Sequence, residues 1–260
     1  AGGVERFMKH YFLVAKDVGD LTRILCAVWE EEHKKGRRRF RLPSLRFNRR
    51  KIDGFKLDGD RLNVDTDDAF SRDPIKLIRL FHEAQLHGLD IHPHALRLAR
   101  QNLSLINAQL RNDENANRLF LEMLCSEHNP ETALTRLNEA GVLGRFVPDF
   151  GRVVAQMQYD MYHVYTVDEH TIRAIGIADG VRKGTLADDH PLACSVIGEI
   201  QSLRALFVAI LLHDIAKGRG GQHAKKGAKI TRKLGTRFGL TEWETETASW
   251  LVLHHLRMSE

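Results

Sequence analysis

The second half of the sequence carries histidines and an aspartate whose types and spacing suit a metal site. An apolar run, LFVAILL, ends on the adjacent pair His213 and Asp214. Further histidines lie on both sides of this pair: His170, His223, His254 and His255. Imidazole nitrogens and carboxylate oxygens bind divalent metals, and a metal-activated water is a nucleophile near neutral pH. These residues predict a hydrolytic metal centre.

Several helices must bring these side chains together. Neighbouring residues on a helix point about 100° apart, so His213 and Asp214 can hold one ion only with ligands from other segments. The patterns Thr166-x-x-Glu169 and Thr241-x-x-Glu244 are capping boxes that predict helix starts before His170 and before the last histidine pair. We expect these helices to pack as a bundle around the site. Taken alone, the pair also fits a core histidine beside an aspartate that contacts a neighbouring turn.

Composition argues against several other classes of protein. No apolar run reaches the roughly 18 residues that a membrane span needs, and the three cysteines are widely spaced without a C-x-x-C pair. We therefore expect a cytoplasmic protein with no membrane partner. Segment 33–51, HKKGRRRFRLPSLRFNRRK, contains ten Lys and Arg and no acidic residue. This basic segment favours either an anionic partner or a solvated loop.

The first half predicts helices interrupted by one hairpin. Apolar residues recur every three or four positions over 5–32, which indicates a helix or a helix pair. The stretch KIDGFKLDGDRLNVD alternates around Asp58-Gly59-Asp60 and predicts a β-hairpin near 52–64. Proline at the first helical position, with a polar residue before it, predicts three further helix starts: Asp73-Pro74, His92-Pro93 and Asn129-Pro130. Gly88 ends the first of these helices and Gly141 the third.

The sequence thus predicts a mainly α protein in two parts. Residues 147–151, VPDFG, break the helical period and mark the best domain boundary. Residues 1–150 form a helical linker domain with the small hairpin. Residues 151–260 form an all-α bundle that contains the metal centre.

The histidine pattern resembles a known superfamily. The arrangement H…HDIAK…HxxxG…HH resembles the HD superfamily of metal-dependent phosphohydrolases. The resemblance implies an HD-type helical bundle with one or two divalent metals, Mg or Mn, that hydrolyses a phosphoester or phosphodiester bond. It implies these ligands: His170, His213, Asp214, His223 and His255. His254 is a candidate ligand of a second ion. Lys217, four residues after His213, stabilises phosphate charge in this interpretation, or is a solvated surface lysine.

Longer stretches resemble one family of that superfamily. The stretches YFLVAKDVGDLTRIL, LPSLRFNRRKIDGFKLDGDRLNV, DPIKLIRLFHEAQLHGLDIHP and YDMYHVYTVDEHTIRAI, followed by LLHDIAKGRGGQHAKKGA, are similar to the middle of bifunctional uridylyltransferase/uridylyl-removing enzymes. The resemblance implies hydrolysis of UMP from a tyrosine of the uridylylated PII signal protein, in nitrogen regulation. It also implies glutamine as an effector, sensed by ACT modules that we expect to be absent from this sequence. The transferase site is expected to be absent, because no Gly-Ser turn occurs in the sequence. Asp65-Thr66-Asp67 has the D-x-D spelling of that site, but it lies between the predicted hairpin and the Asp73-Pro74 helix start.

Two alternatives stay open. The region DPIKLIRLFHEAQLHGLDI is also similar to the helical neck of tRNA nucleotidyltransferases, which suggests a nucleic-acid-binding helical module. Only Phe40 and Phe47 in the basic segment offer base stacking, so we do not expect nucleic acid as a partner. HD sites usually include a further downstream aspartate, and no aspartate follows Asp214. We therefore expect the HD domain to be incomplete at its C-terminus, and a catalytically silent signalling scaffold is the other alternative.

Overall fold

The computed structural model describes residues 2–37, 51–157 and 165–257. Within these ranges the protein is mainly helical with one small sheet in the N-terminal half, as the sequence predicts. The elements of the first half are α1 (Gly2–Arg37), β1 (Lys51–Ile52), β2 (Phe55–Asp58), β3 (Arg61–Val64), α2 (Ala69–Arg72), α3 (Lys76–Leu86), β4 (Asp90–Ile91), α4 (Pro93–Gln101), α5 (Ala108–Arg111), α6 (Glu114–Cys125), α7 (Pro130–Glu139), α8 (Val142–Phe146) and α9 (Pro148–Gly151). Those of the second half are α10 (Val167–Arg182), α11 (Pro191–Val196), α12 (Leu203–Leu212), α13 (His223–Phe238) and α14 (Glu242–His254). No described helix is long and apolar enough to cross a membrane.

The small sheet contains the predicted hairpin and two short strands that the sequence did not indicate. β2 and β3 pair antiparallel across the turn at Gly59, which has a positive φ of 68°. β1 adds antiparallel to β2, and β4 adds parallel to β3. β1 and β4 have two residues each, too few to leave an alternating pattern. Phe55 and Leu62 of the hairpin are fully buried and join the sheet to the helices.

Proline marks two of the three predicted helix starts. α4 begins at Pro93 and α7 at Pro130, and the side chain of Asn129 caps α7 by accepting a hydrogen bond from the Thr132 amide. The prediction for Asp73-Pro74 is wrong by two residues, because Pro74 lies in a turn and α3 begins at Lys76. Positive φ angles at Gly88 and Gly141 follow the ends of α3 and α7, as predicted.

The two predicted capping boxes have different outcomes. At α14 the Thr241 hydroxyl accepts from the Glu244 amide, and the Glu244 carboxylate accepts from the Thr241 amide. At α10 the helix begins at Val167, directly after Thr166 as predicted, but the Thr166 side chain makes no capping hydrogen bond. The Val167 amide at the start of α10 instead donates to the Gln156 carbonyl at 2.9 Å. A distant loop supplies the acceptor, which the local sequence pattern cannot indicate.

A continuous apolar core runs through the described residues. The ring of Phe120 on α6 lies 5.4 Å from Phe146 on α8 and 5.1 Å from Phe238 on α13. The core continues across segment 147–151, where Phe150 is fully buried. The domain boundary near residue 150 stays a prediction. The side chains of the basic segment 33–51 lie outside the described residues.

Close packing between α13 and α14 sets the position of the predicted site. Gly227 is buried on α13, and a Cβ placed there would lie 3.0 Å from Cγ1 of Val252 on α14. The Ser249 hydroxyl of α14 donates to the Ala228 carbonyl at 3.1 Å. α12 packs against both helices. A side chain at position 227 would hold α13 further from α14, so glycine allows the start of α13 to approach the end of α14.

Candidate metal centre

Two groups of potential metal ligands share the carboxylate of Asp214. One consists of His170, His213 and Asp214, and the other of Asp214, His223 and His255. In each group the ligand atoms lie within 4.8 Å of one another. The residues come from the first turn of α10, the end of α12, the start of α13 and the end of α14. Five of the six residues predicted as metal ligands therefore lie together.

The backbone orients two of the imidazole rings. His213 directly follows α12, and its Nδ1 lies 2.7 Å from the Ile210 carbonyl oxygen. His255 directly follows α14, and its Nδ1 lies 2.7 Å from the Val252 carbonyl oxygen. The last carbonyls of a helix lack intrahelical partners and accept such bonds. Because a carbonyl only accepts, Nδ1 carries the hydrogen, and the neutral ring has its lone pair on Nε2. Metal-binding histidines are commonly oriented in this way.

The environment of Asp214 fits a divalent cation. Its side chain is only 3% exposed, and Oδ2 lies 3.1 Å from His213 Nε2 and 2.8 Å from Lys217 Nζ. Oδ1 lies 3.7 Å from His255 Nε2 and 3.9 Å from His223 Nε2. Oδ1 of Asp214 and the two Nε2 atoms of His223 and His255 are buried, and none of the three has a hydrogen-bond partner among the described residues. An unpartnered buried polar atom costs about 1–3 kcal/mol, and one cation between them would satisfy all three.

The pKa directions agree with this interpretation at two of the residues. Burial alone would raise the pKa of Asp214, but the neighbouring imidazoles and the Lys217 ammonium outweigh it and hold this pKa well below its ordinary value. Burial lowers the pKa of His223. Asp214 is therefore ionised and His223 is neutral near pH 7, as metal ligands require. The carboxylate of Asp214 raises the pKa of His255, so a proton competes with a metal for Nε2 of His255 as the pH falls.

The surroundings of two predicted site residues, Lys217 and His254, could not be inferred from the sequence. The Lys217 side chain is only 10% exposed and pairs with Asp214, so the alternative of a solvated surface lysine is wrong. His254 belongs to neither ligand group, and its ring lies 4.8 Å from the ring of Trp250. The structure therefore does not bring His254 to the centre. Asp65 and Asp67 are also in neither group.

The loop after Lys217 is held by contacts that the sequence did not indicate. Gly218 has a positive φ of 76°, and a Cβ there would lie 2.3 Å from Gln156 Nε2. The Arg219 guanidinium lies 2.7 Å from the Asp149 carboxylate. Lys226 donates to the carbonyls of Arg219 and Gly220 at 2.5 and 2.7 Å. Only the glycines of GRGG hint at this loop in the sequence, because Gln156 and Asp149 lie far away along the chain.

The helices and the ligand groups correspond to an HD domain, and the HD domain family model matches residues 167–260. The model of the uridylyltransferase GlnD third domain matches residues 55–146. Three curated relatives are similar over nearly the whole chain, and each is called a bifunctional uridylyltransferase/uridylyl-removing enzyme. The identity is 59% over 258 residues for Azospirillum brasilense, 56% over 257 for Rhodospirillum rubrum and 53% over 256 for Novosphingobium aromaticivorans.

These alignments cover 98–99% of this chain but only 27–28% of the length of the relatives. The chain matches one part of the bifunctional uridylyltransferase/uridylyl-removing enzymes, the part that contains the third domain and the HD domain. The family that the sequence motifs predicted is therefore confirmed.

Proposed function

We propose that this chain carries the uridylyl-removing site of its family, a metal-dependent phosphodiesterase that hydrolyses the bond between UMP and a tyrosine of uridylylated PII. The names of the relatives and the match to the HD domain support this proposal. The observation that carries it is the set of three buried, unpartnered ligand atoms on Asp214, His223 and His255.

The proposed ligands are His170, His213, Asp214, His223 and His255, and the proposed metal is manganese or magnesium. A divalent metal, when bound, supplies an activated water and polarises a phosphoryl oxygen. The carbonyls of Ile210 and Val252 fix the tautomers of His213 and His255, so both rings present Nε2 without reorientation.

The remaining chemistry needs little from the protein. The ammonium of Lys217 lies 2.8 Å from Asp214 Oδ2, so it supplies positive charge beside the proposed metal ligands, where it would stabilise charge on a bound phosphate. The leaving group is a tyrosine phenolate, whose conjugate acid has a pKa near 10. Such a group leaves without a strong general acid, and no acid needs to be assigned.

The proposal extends to the setting of the whole protein. PII is the protein substrate, glutamine acts through modules outside this chain, and the location is cytoplasmic. The described cysteines Cys26, Cys125 and Cys194 are free thiols, as a reducing compartment requires.

UMP release from uridylylated PII tests the proposal directly. The assay uses this chain and a form extended past Glu260, each with manganese, and we expect release that depends on the metal. The double variant His213→Ala/Asp214→Asn should abolish it, because both ligand groups lose a member. His128→Ala is the matched control, since His128 is an exposed loop histidine outside both groups. Unchanged release by the double variant would contradict the site assignment.

A further inference from the structure

Asp168 is a buried carboxylate on the first turn of α10, the turn that also carries His170. Its side chain is 3% exposed. Oδ2 accepts a hydrogen bond from Asn138 Nδ2 on α7 at 2.8 Å, and Oδ1 accepts one from the Ala155 amide at 3.0 Å. The ammonium of Lys16 on α1 lies 3.9 Å from Oδ2. One carboxylate therefore joins α1, α7, the loop at residue 155 and the start of α10.

Asp168 and His170 point to opposite sides of this turn. Two residues along a helix correspond to a rotation of about 200°, so Asp168 faces α7 and α1 while His170 faces the ligand group around Asp214. The His170 amide donates to the Thr166 carbonyl at 2.8 Å, which makes the turn one hydrogen-bonded unit. Hydrogen bonds on the Asp168 side therefore set the rotation of the turn, and with it the direction of the His170 ring.

The same carboxylate holds a strained backbone. Ala155 has a φ of 57°, in the left-handed region that costs a non-glycine residue about 1–2 kcal/mol. The hydrogen bond from its amide to Asp168 stabilises this conformation. The next residue, Gln156, accepts a backbone bond from Val167 at 2.9 Å, and its side chain packs directly over Gly218. Asp168 thus acts on both neighbours of the centre, the His170 turn and the loop after Lys217.

We propose that Asp168 is a positioning residue of the metal centre, which orients His170 and the Gly218 loop through its bonds to Asn138 and Ala155. The inference rests on the proposed metal site. Asp168 itself does not contact the metal, because it faces away from the ligand group.

Calorimetric titration of the metal-free chain with Mn²⁺ tests this role without any activity measurement. In Asp168→Ala both hydrogen bonds are lost, because a methyl group can accept from neither Asn138 nor Ala155. We expect Kd for Mn²⁺ to rise about tenfold or more, the usual effect of losing a group that orients a ligand. The exchange variant Asn138→Asp/Asp168→Asn restores both bonds, with the carboxylate now on α7. Its Kd should return close to the wild-type value.

A matched control separates positioning from general stability. Asp179 is another buried carboxylate on α10, and it pairs with Arg182 and Lys183 at the far end of the helix. Asp179→Asn should lower the Tm and leave Kd unchanged. If Asp168→Ala does not fold, Asn138→Ala removes only one of the two bonds and should still raise Kd.

The outcomes for the two proposals are distinct. A wild-type chain that binds no Mn²⁺ contradicts the proposed metal site. A wild-type chain that binds Mn²⁺, with wild-type Kd in folded Asp168→Ala, overturns the positioning role. A folded exchange variant that binds as weakly as Asp168→Ala overturns it as well, since the restored bonds would then have no effect.

Discussion

Replacing Gly227 with alanine should weaken metal binding as well as destabilise the fold. The added Cβ would lie 3.0 Å from Val252 Cγ1, whereas carbon atoms pack best at about 3.5–4.0 Å. Val252 is fully buried, so α13 and α14 must separate by roughly half an ångström. His223 lies one turn before Gly227, and His255 lies three residues after Val252. The separation therefore pulls the two imidazoles of one ligand group apart.

Two opposing energies set the effect of this substitution on stability. Overpacking of a core costs about 1–3 kcal/mol, and alanine in place of glycine within a helix returns about 1 kcal/mol. The net loss of unfolding free energy is about 0–2 kcal/mol, which corresponds to a Tm decrease of up to about 8 °C for a chain near this size. Calorimetry should show a Kd for Mn²⁺ that is several times higher, because misplaced ligands bind weakly.

Gly19→Ala is the control for this experiment. Gly19 is also helical, and a Cβ there meets no atom within 4 Å. This variant should raise the Tm slightly and leave Kd unchanged. If Gly227→Ala also raises the Tm and keeps the wild-type Kd, the argument from close packing is refuted.

Three further predictions concern the centre and the helix that ends in it. Mn²⁺ at a hundred times its Kd should stabilise the wild-type chain by about 2.7 kcal/mol and raise its Tm by about 5–10 °C; Asp214→Asn should abolish this rise, and persistence of the rise would argue for binding elsewhere. Lys217→Met removes an ammonium 2.8 Å from Asp214 Oδ2, so the Tm of the metal-free chain should fall. The rise in Tm on adding Mn²⁺ should become larger, because the metal no longer competes with this ammonium for Asp214; a smaller rise would contradict such competition. Thr241→Ala removes the α14 cap and should cost about 1 kcal/mol of unfolding free energy with unchanged Kd, and an altered Kd would show that the start of α14 affects the site.

The sequence indicates the local structure well where side chains act on their own backbone. Pro93, Pro130 and the Thr241 capping box mark helix starts that the structure confirms. Thr166 also marks a helix start that the structure confirms, but its side-chain capping bond is absent, and a carbonyl from the loop at Gln156 accepts from the first amide of α10. Contacts between distant segments leave no periodic signal. The sequence therefore cannot show which acceptor pairs with the first amides of a helix.

In the candidate site, too, local patterns were predictable from the sequence and contacts between distant segments were not. Histidines beside an aspartate at the end of an apolar helix predicted the ligand set, and five of its six members converge. His254 does not, because adjacent residues point in different directions and His255 faces Asp214. Asp168 was missed, since its partners Asn138 and Ala155 are 30 and 13 residues away.

Anomalous diffraction from crystals of the chain grown with Mn²⁺ tests the central claim most directly. The account predicts a peak at the Asp214 carboxylate, within bonding distance of Nε2 atoms from His213 or from His223 and His255. A well-ordered centre without such a peak at saturating Mn²⁺, or a peak only at other residues, would contradict it.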